Sequence, residues 1–306
     1  MVKRFFWGLS VCLIFFSCDN DSQESTINNT NNEVSEVVMT GYKINSQSNY
    51  SDANGAGTYQ KITIGNIVNN KFFSESSERF LNNVSQGVET EQNYFYSNNL
   101  LITRKVGNDK KDLFYDANQN LIGLNWTQFS TDGFNPDVLT YYRFSHHPNN
   151  IVFVEKITRP YNDPAAELWR RTIVQFDANN NIVKGGKDHD LDGVMDAENQ
   201  FFYTNDNLTS IQKSNGDVVA FNYSNVTDNL MILNYNSYGK KTYRLLNSEG
   251  YSLLINDAIN FSKKLTNEEM LNATYEVLSS GYYKKKTKTQ ISTNTQNTTI
   301  TEFFFQ

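Results

Sequence analysis

The chain has 306 residues, a formal charge of −6 and no long run of basic residues, a balance that argues against a nucleic-acid-binding protein. Aromatic residues make up 14% of the sequence, with 18 Tyr and 21 Phe, while Pro is scarce at 4. Aromatic and β-branched residues separated by Asn, Asp and Gly turns are typical of antiparallel β-structure. The composition therefore predicts a mainly β protein that is large enough to bury a sizeable core.

The N-terminus, residues 1–17, has the layout of a signal peptide. Lys3 and Arg4 precede an apolar run over residues 5–16, which is too short to span a bilayer. A small residue directly before Cys18 resembles the lipobox of bacterial lipoproteins. The resemblance implies cleavage ahead of Cys18, acylation of this cysteine and attachment to the membrane. An ordinary secretory signal followed by an incidental cysteine is the alternative.

The next segment, residues 18–35, is rich in Ser, Thr and Asn and almost free of apolar residues, so we expect a flexible linker. Its residues Asp19, Asp21 and Glu24 resemble the acidic signals that send some lipoproteins to the outer face of the outer membrane. We therefore expect a lipid-anchored outer-membrane protein displayed at the cell surface. Residues 36–306 are expected to form a single β-rich domain.

A recurring unit of an aromatic residue, an Asn/Asp turn and an aliphatic pair predicts β-hairpins over about residues 94–236. Six copies occur at intervals of 19 to 32 residues: YSNNLL from Tyr96, YDANQNLI from Tyr115, FSHHPNNIV from Phe144, FDANNNIV from Phe176, YTNDNLTSI from Tyr203 and YSNVTDNLM from Tyr223. Apolar residues alternate along the strands that follow, as in Met231, Leu233 and Tyr235. The predicted fold is an antiparallel hairpin meander, built as a twisted sheet or a partly open barrel.

Two of these turns, YDANQNL and FDANNNI, resemble the tyrosine-aspartate repeats of RHS-type surface proteins. The core of that repeat reads Tyr-Asp-x-x-Gly-x-Leu, and Gln119 and Asn180 stand where it has Gly. In RHS proteins, many such repeats build a large shell around a toxin. Six copies are too few for a shell, so the resemblance implies the meander and not the toxin function.

The C-terminal segment is expected to contain one helix and a last hairpin. Thr266 and Glu269 have the spacing of a capping box, which predicts an amphipathic helix at about residues 267–279 packed on the sheet. Its apolar face would hold Met270, Leu271, Thr274, Val277 and Leu278. The final stretch alternates Thr with other residues and predicts a terminal hairpin with an exposed face rich in Lys and Thr.

The stretch DHDLDGVMDAEN has the spacing of a calcium-binding loop, with acidic residues at positions 1, 3, 5 and 9 and Gly at position 6. The candidate ligands are Asp188, Asp190, Asp192, the carbonyl of Val194, Asp196, Glu198 and Asn199. The loop resembles those of thrombospondin type 3 repeats and related EF-hand-like sites, which implies bound Ca²⁺. Strand-like flanks favour a structural clamp over a calcium switch. A solvated acidic turn is the alternative.

Other chemistry is weakly represented, since no nucleophile elbow, phosphate-binding loop or HExxH motif occurs in the sequence. Glu155, Asp163 and Glu167 are candidates for a pair of glycosidase carboxylates, but solvated charges on a hairpin are favoured. The adjacent His146 and His147 cannot easily chelate one ion. We therefore expect a non-enzymatic binding or structural module whose partner is an extracellular or envelope protein or glycan. An envelope hydrolase acting on glycan or peptide, and a periplasm-facing carrier of apolar ligands, are the alternatives.

Overall fold

The computed structural model describes residues 37–52, 55–129, 136–160, 167–248, 262–292 and 295–306. The signal peptide, the lipidated Cys18 and the linker predicted for residues 1–35 lie outside these ranges. In the described part of the chain, no helix has both the length and the apolar character that crossing a bilayer requires.

Nineteen strands and three helices are formed by the described residues. The strands are β1 (Met39–Asp52), β2 (Gly55–Val68), β3 (Lys71–Leu81), β4 (Val84–Ser97), β5 (Leu100–Val106), β6 (Asp109–Tyr115), β7 (Leu121–Phe129), β8 (Pro136–His147), β9 (Ile151–Pro160), β10 (Glu167–Phe176), β11 (Ile182–Asp188), β12 (Ala197–Thr204), β13 (Asn207–Gln212), β14 (Val218–Ala220), β15 (Tyr223–Thr227), β16 (Lys264–Thr266), β17 (Thr274–Val277), β18 (Tyr283–Ser292) and β19 (Thr295–Phe305). The helices are α1 (Asn229–Tyr238), α2 (Lys240–Asn247) and α3 (Asn267–Leu271).

Seventeen of the strands form one antiparallel sheet. From β1 to β14, each strand pairs with the next one in sequence. β1 also pairs with β19, which continues through β18 to β17. The remaining strands, β15 and β16, pair with each other. The predicted mainly β fold, an antiparallel hairpin meander that ends in a terminal hairpin, is therefore confirmed.

Pairs of Asn and Asp residues form the tightest turns of the meander. Four hairpins have two-residue turns in which both residues have positive φ, as a type I′ turn requires. The four pairs are Asn69–Asn70, Asn82–Asn83, Asn98–Asn99 and Asn205–Asp206. Asn tolerates left-handed backbone angles better than other residues with a Cβ, and its frequency in this chain reflects that demand.

The turns after β6 and β10 are five-residue turns of one conformation. Asp116 closes the first turn, because its amide donates to the Asn120 carbonyl oxygen at 3.0 Å and its Oδ1 accepts from the Asn120 amide at 2.8 Å. The turn that starts at Asp177 repeats these bonds. The residues that replace the Gly of the tyrosine-aspartate motif adopt left-handed conformations, with φ of 63° at Gln119 and 60° at Asn180.

Aromatic residues of the repeated unit link one hairpin to the previous one. The Tyr115 hydroxyl donates to the Leu101 carbonyl oxygen at 3.0 Å, and the Tyr223 hydroxyl donates to that of Leu208 at 2.5 Å. Both acceptors belong to the aliphatic position that follows the turn of the preceding copy, and both leucine side chains are fully buried. The repeat thus combines a core residue and a hydrogen-bonded aromatic in each unit.

The sixth copy departs from the sequence prediction, because Met231, Leu233 and Tyr235 lie in helix α1 and not in a strand. The side chain of Asp228 accepts hydrogen bonds from the amides of Leu230 and Met231 and so caps the helix N-terminus. The alternating apolar residues are buried as expected, but Leu230 also packs against the core. A helix covered on most of its sides has no clear 3.6-residue stripe, which explains the wrong prediction.

The C-terminal helix predicted at about residues 267–279 is shorter, since α3 covers only Asn267–Leu271. Its start was predicted correctly, because Thr266 and Glu269 form both hydrogen bonds of a capping box. The segment Thr274–Val277 instead forms β17 and pairs with β18. Backbone pairing with a neighbouring strand outweighs the modest helix propensity of this Thr- and Tyr-containing segment.

The inner face of the sheet is the face whose side chains form a common core with α1 and α2. Fully buried members include Leu101, Leu121, Val152, Val174, Ile182, Leu208, Leu233, Leu245 and Phe303. Helix α1 is fixed at both ends, since Ser237 Oγ accepts from the Phe72 amide at 2.9 Å and Asn229 Nδ2 donates to the Tyr283 carbonyl oxygen at 2.7 Å. These bonds connect α1 to β3 and β18.

Candidate metal site

Four charged residues lie opposite one another on β8, β9, β10 and β11. The strand registers pair Arg143 with Glu155, Glu155 with Arg171, and Arg171 with Asp188. Arg143 Nε lies 2.5 Å from Glu155 Oε2, and Arg171 Nη2 lies 2.8 Å from Glu155 Oε1. Arg171 Nη1 completes the row at 3.1 Å from Asp188 Oδ2. The charges alternate along this row, which we call the charge row.

Burial increases toward the loop end of the charge row. The exposed fraction of the side chain is 61% for Arg143, 4% for Glu155, 16% for Arg171 and 0% for Asp188. Burial by itself opposes the ionisation of Glu155, but hydrogen bonds from Arg143 and Arg171 outweigh it and lower the pKa of this carboxyl. Glu155 is therefore held as an anion between two guanidinium groups.

The loop after Asp188 connects β11 to β12 and is closed at its base by a hydrogen bond from the Asp196 amide to the Lys187 carbonyl oxygen at 2.9 Å. Gly193 has a φ of 90°, which allows the sharp bend that position 6 of a calcium loop requires. Arg171 Nη1 also donates to the Leu191 carbonyl oxygen at 3.0 Å. The charge row therefore supports the loop backbone as well as Asp188.

Carboxylate oxygens of Asp188, Asp190 and Asp196 all lie within 4.8 Å of one another. Ca²⁺ takes oxygen ligands at about 2.3–2.6 Å, so two oxygens bound to the same ion are at most about 5 Å apart. The three carboxylates are thus close enough to contact one ion. Asp188 is buried, while Asp190 and Asp196 are exposed.

The two oxygens of Asp188 have different environments. Oδ2 accepts from Arg171 Nη1 at 3.1 Å and from the Gly193 amide at 3.1 Å. Oδ1 is buried and has no hydrogen-bond partner among the described residues. A buried carboxylate oxygen without a donor is costly, and a cation among the three carboxylates would satisfy it.

The exposed aspartates are oriented by local hydrogen bonds. Asp196 Oδ2 accepts from the His189 amide at 2.6 Å and lies 3.0 Å from His189 Nδ1, and these contacts lower the pKa of Asp196. Asp190 Oδ1 accepts from the Asp192 amide at 3.3 Å. Asp192 Oδ1 accepts from the Val194 amide at 2.8 Å, and Asp192 does not belong to the group of three.

The closing residues of the predicted ligand set are engaged elsewhere. Glu198 Oε1 lies 2.9 Å from Lys184 Nζ, and the buried Asn199 accepts a hydrogen bond from the Ser214 amide at 3.1 Å. Of the seven candidate ligands, the structure thus brings together the carboxylates of three. Sequence reasoning missed Arg171, which lies 17 residues before Asp188 and is brought to it only by strand pairing.

The other side chains considered from the sequence have separate environments. His146 Nε2 lies 2.8 Å from the Leu121 carbonyl oxygen, and the His147 ring packs on Phe153 with a centroid distance of 4.2 Å. Glu155 belongs to the charge row. Asp163 and the side chain of Glu167 lie outside the described residues.

Comparisons with known proteins identify no family for this chain. No family model matches it, and no curated protein matches it either. Among solved structures, it is similar to a porin-like protein from Bacteroides uniformis, with a TM-score of 0.25 and 7% sequence identity over 86% of this chain and 97% of that one.

Proposed function

We propose that this protein is a cell-envelope lipoprotein in which the β11–β12 loop binds Ca²⁺ as a structural clamp. The observation that carries the calcium site is the buried, unpartnered Oδ1 of Asp188 beside the carboxylates of Asp190 and Asp196. An oxygen-only ligand set in a flexible loop suits Ca²⁺ better than Mg²⁺, which requires near-ideal octahedral geometry at shorter distances. Waters and loop carbonyls would complete the coordination.

The clamp would act on the sheet through the charge row. Without a cation, three carboxylates of the loop face one another, and Arg171 offsets only the buried one. A bound ion would neutralise the cluster and hold β11 and β12 in register, because Asp188 ends β11 and Asp196 directly precedes β12. The flanking elements are strands, which fits a stabilising role rather than an opening movement.

The envelope assignment rests on the sequence of residues 1–35. The signal-peptide layout and the lipobox-like Cys18 support a lipid anchor, and the acidic residues that follow support display at the cell surface. The proposed role is a non-enzymatic binding or structural module. Its partner would be an envelope or extracellular protein or glycan.

Calorimetric titration with CaCl₂, together with thermal melting, tests the clamp. Extracellular calcium modules bind at about 0.1–1 mM, and calcium at ten times the dissociation constant stabilises a fold by roughly 1.4 kcal/mol, or a few degrees in Tm. We expect this gain with Ca²⁺ and a smaller one with Mg²⁺. A protein that releases no heat with millimolar Ca²⁺ would contradict the clamp.

Two matched variants locate the ion. Asp190→Ala and Asp192→Ala each remove one exposed carboxylate and one acceptor of an i+2 amide hydrogen bond. Because only Asp190 belongs to the group of three, Asp190→Ala should abolish the calcium-induced gain, and Asp192→Ala should retain most of it. Equal retention of the gain in both variants would place the ion elsewhere.

The anchor and the surface display are tested separately. Cys18→Ser should release the protein from the membrane fraction, because the acylated thiol is lost. Protease treatment of intact cells should degrade the unmodified protein, whereas a periplasm-facing protein would survive it. Unchanged fractionation of the Cys18→Ser variant would refute the lipid anchor and leave the calcium site unaffected.

A further inference from the structure

A cavity of about 330 Å³ lies between the helices α1 and α2 and the inner face of strands β5 to β8. Its size is at the lower end of the range of roughly 300–1,000 Å³ that is typical of small-molecule sites. The sheet contributes its floor, and Tyr238 of α1 and Leu246 of α2 contribute its opposite wall. The cavity shares no lining residue with the β11–β12 loop.

One end of the cavity is polar and cationic. Arg104, Lys111 and Trp126 line it from β5, β6 and β7, and the strand registers place them side by side, with Arg104 opposite Lys111 and Lys111 opposite Trp126. Lys111 Nζ lies 4.1 Å from the centre of the Trp126 ring, a cation–π distance. Lys111 thus keeps its positive charge next to the indole.

The indole of Trp126 carries a polar group without a partner. Its Nε1 is buried and has no hydrogen-bond acceptor in the described part of the chain. Buried indole N–H groups normally find an acceptor, and an unsatisfied one costs stability. Because Trp126 lines the cavity, an acceptor atom of a bound molecule would satisfy this donor.

Arg104 holds the charge of this end in place. Its Nη2 donates to Gln92 Oε1 at 2.5 Å, and the Tyr238 hydroxyl hydrogen-bonds to its guanidinium group. No carboxylate occurs among the described residues that line the cavity. The two cations therefore give the site a positive potential that favours an anion.

The rest of the cavity is apolar and partly aromatic. Leu113, Leu124 and Phe144 are buried and belong to the core, and Tyr142 stands beside them on β8. Leu245 faces them from α2. A ligand that enters this end must bring an apolar body, because few polar groups are present to replace its hydration.

We propose that this cavity binds a small aromatic carboxylate. The carboxylate accepts hydrogen bonds from Lys111 Nζ and Trp126 Nε1 in the field of Arg104, and the aromatic body packs against Leu124 and Phe144. A singly charged carboxylate matches one ammonium and one neutral donor, whereas a more highly charged phosphate would need more donors at this largely apolar site. The ligand site goes beyond the calcium clamp and does not depend on it.

Equilibrium dialysis of the purified protein against 2-naphthoate tests the site, with the neutral 2-naphthamide as the matched probe. We expect binding of the carboxylate and at least about tenfold weaker binding of the amide, since a hydrogen bond to a charged group contributes about a factor of ten or more. Decanoate serves as an alkyl carboxylate, and its binding as tightly as naphthoate would overturn the aromatic assignment. No binding of naphthoate at millimolar concentration would overturn the site itself.

A matched pair of lysine variants locates the anion. Lys111→Met removes the charge but keeps the length of the side chain, while Lys110→Met does the same on the exposed, opposite face of β6. Lys111→Met should weaken naphthoate binding by about tenfold, and Lys110→Met should leave it unchanged. Trp126→Phe should also weaken binding, because it removes the N–H donor and keeps an aromatic ring.

A structural effect is separated from a loss of contact by two readouts. Each variant is first shown to melt cooperatively, and its affinity for the neutral amide is compared with that of the parent. Loss of the preference for carboxylate over amide in Lys111→Met supports the proposal. Equal losses in Lys111→Met and Lys110→Met, or an unchanged preference in Lys111→Met, overturn it.

Discussion

Arg171 and Asp188 face each other across β10 and β11, with Nη1 of the arginine 3.1 Å from Oδ2 of the aspartate. This pair joins the β11–β12 loop to the sheet. Arg171 also contacts Glu155 on the neighbouring strand, so that one guanidinium serves two buried carboxylates. The state of the loop is thereby linked to the pairing of β9, β10 and β11.

We predict that Arg171→Met lowers the free energy of unfolding by about 3 kcal/mol in the absence of calcium, because it leaves two buried carboxylates without their cation. The stabilisation by calcium should become larger in this variant, since the ion is then the main neutralising charge beside Asp188. Urea unfolding with and without CaCl₂ measures both effects. Arg143→Met is the matched control at the exposed end of the charge row and should cost less than about 1 kcal/mol.

Asp206 should make the fold sensitive to acid. Burial opposes its ionisation, but hydrogen bonds from Lys240 and Lys263 outweigh it and lower the pKa to about 2. The stabilisation from this group is present above the unfolded pKa of about 4 and is lost as the pH falls toward 2. Asp206→Asn, which keeps a residue tolerant of the left-handed φ of 65°, should cost about 1–2 kcal/mol at pH 7.

The difference between the parent and Asp206→Asn should therefore shrink as the pH is lowered from 4 to 2, as measured by urea unfolding at each pH. Asp217→Asn is the comparison variant, because Asp217 is exposed and its Oδ2 accepts from Asn215. It should show no comparable dependence on pH. A constant cost of Asp206→Asn from pH 7 to 2 would contradict the lowered pKa.

Asp228 should act in the opposite direction. Burial raises its pKa to about 6, with a further contribution from the charge of Glu269, although the amides of α1 and Lys286 favour the anion. Because this folded pKa exceeds the unfolded value of about 4, Asp228 lowers stability progressively as the pH rises from 4 to above 6. Asp228→Asn keeps an N-cap side chain but cannot ionise.

We therefore predict that Asp228→Asn matches the parent at pH 4 and is more stable by roughly 1–3 kcal/mol at pH 7.5. Thermal melting across this range measures the difference. Asn229 and Tyr283 hold α1 in both proteins, so the comparison isolates the carboxyl group. A variant that is less stable than the parent at pH 7.5 would show that Asp228 is needed as an anion at the helix N-terminus.

The Asn-Asn turns predict opposite effects of two substitutions at one position. Asn83 has a φ of 64° and is exposed. Asn83→Gly should leave stability unchanged or raise it by a few tenths of a kcal/mol, because Asn-Gly is the preferred type I′ pair. Asn83→Val should lower it by about 1–2 kcal/mol, since a β-branched residue resists the left-handed conformation. Chemical denaturation measures both, and equal stabilities would contradict the strain argument.

The sequence by itself determined the parts of this protein that depend on neighbours along the chain. Asn and Asp pairs specify turns through their own tolerance of positive φ, and Thr266 and Glu269 form a capping box across three residues. Together with alternating apolar residues, these local rules predict the hairpin meander. The positions of Asp188, Asp190 and Asp196 in one loop also follow from spacing alone. The lipid anchor at Cys18 stays a prediction.

Only the tertiary structure decided which side chains meet across the sheet. Arg171 reaches Asp188, and Lys111 reaches Trp126, because strand registers bring together residues 15 to 17 positions apart. Burial likewise decided that the segment after Asp228 is a helix, since a segment covered on most of its sides has no periodic stripe to read. Register and burial are set by the free energy of the whole sheet and core, so no local pattern encodes the charge row or the cavity.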